Sequence, residues 1–278
     1  MKMTTLFPGI LVVLLLLWSW QNDTNIRSMI EQYVDNGDII TFEARYSADR
    51  IIEEKLQTLM ADSERTFQKA EQKFHPYVLF EVKYAGADNK SKEGVLLWDL
   101  VDGEMVINCS SWEKTHGFED AINAKASSND FKIIHALSNP HARGRLTLDH
   151  LQRDLQADKE LVEEWVESAK DKHLIVQRGG DFLLHLENPK MAVVPQTLFD
   201  QNMVTKPYSH AQKILRRYTI KEIENISYMA FGSDFAIRSK REVFLPIYSI
   251  EFANADGSTL TTHWNALTGR KIAPHYLR

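Results

Sequence analysis

Asp99, Asp102 and Glu104 fall within six residues in the stretch "WDLVDGE". Clustered carboxylates can serve as general acid and base, but a glycine-containing turn after a strand calls for polar residues at the same places. The turn explains them without catalysis. His135, His141 and His150 invite a metal, yet they lack the i, i+4 pair or the carboxylate partner of a zinc site. They read as ordinary helix and loop histidines. The chain has no G-x-S-x-G elbow, P-loop or dinucleotide fingerprint, and "RGGD" at Arg178 is a hairpin tip too short to cradle a phosphate. Cys109 is the only cysteine, which excludes an intrachain disulfide and a cysteine metal site. In "GEMVINCSS" it reads as a buried thiol. The expectation is a protein with no catalytic set, no cofactor and no metal. Four Asn-x-Ser/Thr sequons, at Asn22, Asn89, Asn108 and Asn225, matter only in a host that glycosylates secreted proteins.

The elements that hold these residues start with an apolar segment. Met3 to Trp20 is an 18-residue uncharged stretch, at the short end for crossing a bilayer. Trp18 and Trp20 stand where an interfacial aromatic belt belongs. They also occupy the positions where a cleaved signal peptide needs small residues. Residues 1–22 therefore read as an uncleaved signal anchor. Lys2 and the amino terminus precede the segment and Asp23 follows it, so the N-terminus is expected inside and the bulk of the chain outside the cytoplasm, in a bacterial inner membrane. The chain as a whole, with 44% hydrophobic and 26% charged residues, is globular in composition. A net charge of -5 gives no global attraction to nucleic acid or anionic lipid.

After the anchor, "NIRSMIEQYVDNG" reads as a short helix and "DIITFEARYS" as a strand. A long helix is expected from Ser47 to about Phe74, on the stripe Ile52, Leu56, Leu59, Ser63, Phe67, Ala70 and Phe74. Strands "YVLFEVKYA", "GVLLWDLV" and "GEMVINCS" follow. The C-terminal part repeats this plan. "YSADRIIEEKL" from Tyr46 parallels "YSHAQKILRRY" from Tyr208, "PYVLFEV" parallels "PIYSIEF", and "WDLVDGE" parallels "WNALTGR". The Pro-to-Trp spacing is 22 residues in the first copy and 18 in the second, a difference that a hairpin loop absorbs. Three matched blocks in one order favour internal duplication.

Helix, strand pair and a "W-x-x-x-x-G" turn, as in "WNALTGRK", together with the hairpin turn Asp256-Gly257, resemble the PepSY module. The resemblance covers roughly residues 207–272 and, less closely, 40–108. The first copy departs with its long helix and "VDG" for "LTG", the second with the added "IKEIENISYMAFGSDFAIRSKRE". It implies an extracytoplasmic binding or inhibitory module without catalysis of its own.

Between the copies, "DFKIIHALSN", "TLDHLQRDL" and "DKELVEEWVESAKDKH" read as three helices and "LIVQRGGDFLLHL" as a hairpin. This order resembles the winged-helix fold. In a DNA reader the third helix enters the major groove. Here it would bury Leu161, Val162, Trp165, Val166 and Ala169 and present six acids against three bases over residues 158–173. Such a face repels phosphates. Arg178, with Arg143, Arg145 and Arg153, makes only a modest basic patch.

The expected fold class is α+β: an anchor (1–22), a PepSY-like module (23–125), a winged-helix-like module (126–192) and a second PepSY-like module (193–278). The expected partner, besides the membrane, is a protein and not nucleic acid. Trp98, Trp264, Glu163, Glu167 and Arg178 are the candidate contact residues. Each tryptophan is expected to pack on the helix of its own copy, and strand edges in such modules can bind peptides by adding a strand. The competing reading is a membrane-tethered regulator with its winged helix in the cytoplasm, touching DNA through the arginine patch.

Overall fold

The computed structural model describes residues 38–60, 65–86, 88–139, 145–186, 189–207 and 212–272, without the side chains of 56–60. The expected anchor, the helix expected over residues 25–37, His141 and Arg143 lie outside the described residues. The chain is a mixed α/β protein. In order, the first elements are β1 (Asp38–Phe42), α1 (Ala48–Met60), β2 (Thr66–Ala85), β3 (Ser91–Asp99), β4 (Met105–Asn108) and β5 (Glu113–Lys114). Then come α2 (Phe118–Asn123), α3 (Ser128–Ser138), β6 (Arg145–Thr147), α4 (Leu148–Leu155), α5 (Lys159–Asp171), β7 (Ile175–Arg178) and β8 (Asp181–Leu184). The last are β9 (Met203–Pro207), β10 (Gln212–Lys213), α6 (Ile220–Phe231), β11 (Ala236–Ala253), β12 (Thr259–Asn265) and β13 (Lys271–Ile272). No helix among the described residues is long and apolar enough to cross a membrane.

Two prolines mark the plan of the long strands. Proline has no N–H to give a ladder, and both Pro76 and Pro246 stand where a strand changes partner. β2 pairs in parallel with β10 at Lys73 and Phe74, then antiparallel with β3 from Tyr77. β11 pairs in parallel with β1 at Phe244, then antiparallel with β12 from Ile247. The chain divides into two compact units close to these prolines. Within the described residues, one unit holds 38–76, 203–219 and 244–272, and the other holds 77–202 and 220–243.

In the first unit, α1 covers one face of the β11–β12 hairpin. Ile51 packs there with Ile250, Phe252 and Trp264, bordered by Tyr46, Ile52 and Leu260. These strand residues alternate, as the period of a half-buried hairpin requires. Asn254, Asp256 and Gly257 close the hairpin, with Gly257 at φ 81° and its N–H on the Asn254 carbonyl.

In the second unit, β2 pairs with β3 and β4 continues the order with β5 at its edge. Trp98 packs edge-on against Phe118 of α2, 5.0 Å between centroids, and Phe231 of α6 lies 6.4 Å from Trp98. Phe131 of α3 stacks on Phe118 at 5.9 Å. The helices and hairpin expected over residues 130–186 are present, and β6-β8-β7 form a separate antiparallel sheet. Sequence chemistry sets their ends. Ser127 and Asp130 form a capping box on α3, and Gly179, with φ 63°, turns the β7–β8 tip. Beneath them Asp130 is buried and takes Ser168 Oγ at 2.9 Å and Lys172 Nζ at 2.5 Å, tying α3 to α5.

Several expectations are corrected. The helix from Ser47 does not reach Phe74: α1 spans Ala48–Met60, and Thr66 onward is strand. The 3- and 4-residue steps of Phe67, Ala70 and Phe74 fit the helical period, and as a strand they put Phe67 on the face opposite Ala70 and Phe74, yet pairing of Lys73 and Phe74 with β10 holds the segment as strand. The helix expected from Tyr208 is not found over the described residues that follow it. Gln212–Lys213 is strand, and the helix is α6, inside the stretch read as an insertion. Tyr218, two residues before α6, therefore stands as Tyr46 does before α1, and Ile223 is buried as Ile51 is. Neither tryptophan packs on the helix that precedes it: Trp98 meets α6 and Trp264 meets α1. In α5, Val162, Val166 and Ala169 are buried, but Leu161 is 45% exposed.

Candidate functional site

The acidic stretch at the end of β3 folds into a turn that recurs at the end of β12. Asp99 Oδ1 accepts from Val101 N at 2.7 Å and from Asp102 N at 3.3 Å, and Asn265 Oδ1 accepts from Leu267 N at 2.8 Å and Thr268 N at 3.2 Å. Gly103 N donates to the Asp99 carbonyl at 3.2 Å, and Gly269 N to the Asn265 carbonyl at 2.9 Å. Asp99 N reaches the Glu104 carbonyl at 2.9 Å, and Asn265 N the Arg270 carbonyl at the same distance. Asp102 Oδ1 holds Glu104 N at 2.9 Å where Thr268 Oγ1 holds Arg270 N at 3.3 Å. Both glycines have positive φ, 74° and 64°, which is why each turn needs one.

What fills the first turn was not foreseen. Asp99, Asp102 and Glu104 are all buried, and Lys114 reaches in from β5. Its Nζ donates to Asp99 Oδ2 at 2.5 Å and to Asp102 Oδ2 at 2.7 Å, and it stands 5.4 Å from the centre of the Tyr77 ring. Trp112 closes the group by donating to Tyr77 Oη at 3.0 Å. Burial works against the Lys114 charge, but Asp102 and Asp99 outweigh it and hold the ammonium well above its ordinary pKa. Burial, then the charge on Asp99, raises the Asp102 carboxyl.

Glu104 faces a different set of donors: Thr115 Oγ1 at 2.6 Å, Gly117 N at 2.8 Å and Glu119 N at 3.1 Å. Burial nevertheless pushes its carboxyl up to about 7. The sequence does contain Lys114 and Thr115, but nothing in their spacing from Asp99 points to contact. The irregular β4–β5 register between Val106 and Asn108 brings them there.

The five residues singled out from sequence fall into two kinds. Trp98 is fully buried and Trp264 is 5% exposed, so both are core and neither offers a ligand platform. Trp98 Nε1 donates to the Gly103 carbonyl at 2.7 Å and Trp264 Nε1 to Thr262 Oγ1 at 2.9 Å. Glu163, Glu167 and Arg178 are exposed. On α5, Glu163, Glu164, Glu167 and Asp171 lie on the solvent side with Leu161. Lys170 pairs with Glu167 at 2.8 Å, and Lys172 is turned toward Asp130. Arg145, Arg153 and Arg178 are exposed but stand on β6, α4 and β7 rather than on α5.

Two of the three candidate histidines are described, and each has a local contact. His135 is packed against Phe131, where burial lowers its pKa, and His150 Nδ1 lies 2.7 Å from the Thr147 hydroxyl. Among the described residues, no group of His, Cys, Asp and Glu could hold a metal ion. Cys109 is buried, and burial with Asp200 nearby pushes its thiol up to about 12.

One stretch of the chain behaves as an added strand. β3 and β4 pair only at Leu97–Val106 and Trp98–Met105. Beyond that point Thr197 N donates to the Val95 carbonyl at 2.7 Å and Leu198 N to the Ile107 carbonyl at 2.8 Å. The Thr197 hydroxyl takes Leu97 N and gives to the Val106 carbonyl. An open groove of about 550 Å³ runs there, lined by Gly94, Asn108, Ser110, Gln196, Leu198 and Asp200 among others. Compared with known proteins, the chain matches no family model, no curated protein and no solved structure.

Proposed function

We propose that this is a non-enzymatic protein-binding or envelope-assembly protein, anchored in a bacterial inner membrane through residues 3–20 with its bulk outside the cytoplasm. In this reading it comprises two PepSY-like modules flanking a winged-helix-like module. The recurrence of strand, helix, long strand, strand, turn and short strand supports an internal duplication, as do the matching hydrogen bonds of the two turns. The order α3, β6, α4, α5, β7, β8 supports the winged-helix reading.

The observation that carries the functional reading is the solvent face of α5. Glu163, Glu164, Glu167 and Asp171 are exposed along the helix, and Leu161 is exposed in its first turn. Such an acidic face complements a basic protein surface and repels a phosphate backbone. Fold likeness to DNA readers carries no function by itself.

The test is crosslinked capture from membranes with the full chain, comparing wild type with the charge-reversed pair Glu163→Lys and Glu167→Lys. A defined partner held by wild type and lost by the variant is the expected result. The same capture from both chains overturns the assignment to α5. Salt-dependent binding of duplex DNA by wild type, abolished by Arg178→Ala, would instead establish the regulator. A topology reporter after Arg278 that is active in the cytoplasm would overturn the extracytoplasmic placement.

A further inference from the structure

The two turns share a backbone and differ in what their first side chain meets. Asp99 accepts from the turn amides on Oδ1 and from Lys114 Nζ on Oδ2. Asn265 spends Oδ1 on the same two amides, which fixes the orientation of its amide group. The atom matching Asp99 Oδ2 is then Asn265 Nδ2, buried in a residue only 2% exposed and without a partner.

Two more orphaned atoms share its side of the hairpin. The β11–β12 register sets Ser249 opposite His263 and Ile247 opposite Asn265. Cross-strand partners and residues two apart point to one face, so Ser249, His263 and Asn265 stand together. Trp264, Ile250 and Phe252 take the other face against Ile51. Ser249 Oγ, in a residue 1% exposed, and His263 Nδ1 also lack partners. Buried polar atoms are rarely left unpaired, and three on one face of one hairpin call for a common ligand.

We propose that this face of the β11–β12 hairpin is a carboxylate-binding site, with Asn265 Nδ2, Ser249 Oγ and His263 Nδ1 as donors. The donor inventory selects the ligand. An amide nitrogen only donates, and a hydroxyl and a neutral imidazole can each donate. A carboxylate only accepts and has room for all three. Burial and the nearby Lys73 both lower the His263 pKa, so the ring is neutral and one tautomer places a proton on Nδ1. Lys73 adds positive charge to the site. Glu251 acts the other way, but Lys69 stands 3.5 Å from it. His263 is only half-buried, although its Nδ1 is itself buried. The first turn meets the opposite need, because its side chain is an acid and its neighbouring strand brings a lysine. The site includes no residue of α5 and does not depend on the function proposed for that helix.

The test follows the side-chain amide signals of Asn265 and the ring signals of His263 by NMR, in the full chain in detergent micelles. The first probe is acetate. Two short peptides follow: one has a free C-terminus and no acidic side chain, the other is C-terminally amidated and carries a glutamate. The peptide that competes with acetate tells whether the carboxylate comes from a chain end or a side chain. If neither does, the ligand is a small organic acid. Asn265→Asp keeps the Oδ1 cap, as Asp99 does in the first turn, and replaces the donor by an acceptor. It is expected to weaken acetate at least about tenfold, and Ser249→Ala to weaken it severalfold. Saturable shifts in wild type that vanish in Asn265→Asp are the expected result. Equal acetate affinity in wild type and Asn265→Asp overturns the site. So do amide signals that stay unmoved at saturating acetate, which would mean that ordered water alone fills the face. Should Asn265→Asp fail to fold, Ser249→Ala, which leaves the turn intact, decides between the same outcomes.

Discussion

The turn after Trp98 and the turn after Trp264 follow the same backbone path and are filled by opposite chemistry. Each is closed by the same hydrogen bonds, from an Asp or Asn side chain at the start to a left-handed glycine near the end. In the first, acids at 99, 102 and 104 are buried and a lysine is drawn in to balance two of them. In the second, Asn265, Thr268 and Arg270 take those places, no cation is required, and an amide donor is left over. A turn fold needs one oxygen acceptor at its first residue. The remaining atoms of that side chain are free to vary, and each variation obliges the surroundings to supply a complement.

The largest effect is expected from taking that complement away. Lys114→Met leaves Asp99 and Asp102 buried without their cation, and breaking a buried pair from one side costs about 3–5 kcal/mol. Urea unfolding of the single variant should show this loss. Adding Asp99→Asn and Asp102→Asn converts the first turn to the neutral chemistry of the second and should recover more than half of it. If the triple variant is no more stable than Lys114→Met, the ion group is not what holds this corner together.

Glu104 and Arg270 hold the same turn position, and only the first is buried. Because burial raises Glu104 from 4.5 to about 7, the folded state holds its proton more tightly than the unfolded chain does. The stability this adds is fully present below about pH 4.5 and is lost as pH rises through about 7. Glu104→Gln fixes the neutral form. Between pH 5 and pH 8 the difference in unfolding free energy between wild type and variant should change in the variant's favour, by roughly 3 kcal/mol at most. Asp130 carries the opposite sign. Burial is outweighed there by Lys172 and Ser127, its pKa is lowered, and its contribution is present above the ordinary carboxylate range and fades on acidification. A wild-type pH profile alone mixes the two, whereas the Glu104→Gln comparison isolates one.

Much of this architecture is legible in the sequence where local signals are strong. The strands from Tyr77 to Asn108, the Asp256-Gly257 turn, the two Trp-to-Gly turns and the helices between Ser128 and Asp171 follow from period and turn chemistry. What escapes is set at long range. Phe67, Ala70 and Phe74 suit a helix until β10 pairs with that segment. Tyr208-Ser209 looks more like Tyr46-Ser47 than Tyr218-Thr219 does, yet α6 begins after the latter pair. That Trp98 receives α6 and Trp264 receives α1 is a matter of chain path, and neither hairpin's own residues encode it. Of the candidate site, Asp99, Asp102 and Glu104 are visible as turn residues, but Lys114 is not, because a two-residue strand with a shifted register delivers it. The unpaired donor of Asn265 becomes visible only once the turn is built and its first oxygen is accounted for.

The smallest effect concerns a glycine. Both turns place theirs at positive φ, so a Gly→Ala change carries a backbone cost of about 1–2 kcal/mol in either. In the second turn a side chain also stands close to the glycine. A Cβ on Gly269 would stand 2.9 Å from Tyr46 Cε1 and 3.0 Å from Cδ1. The ring cannot simply withdraw. Tyr46 N is held on the Ala266 carbonyl at 2.9 Å, and the Arg50 guanidinium sits 4.6 Å from the ring centre. Gly269→Ala should therefore cost more than its backbone share, and the excess should disappear in a Tyr46→Ala background, where only the conformational part is left. A double-mutant cycle reads this coupling directly. Equal penalties in the two backgrounds would show that Tyr46 yields without cost, leaving the second turn as tolerant of a Cβ as its backbone allows.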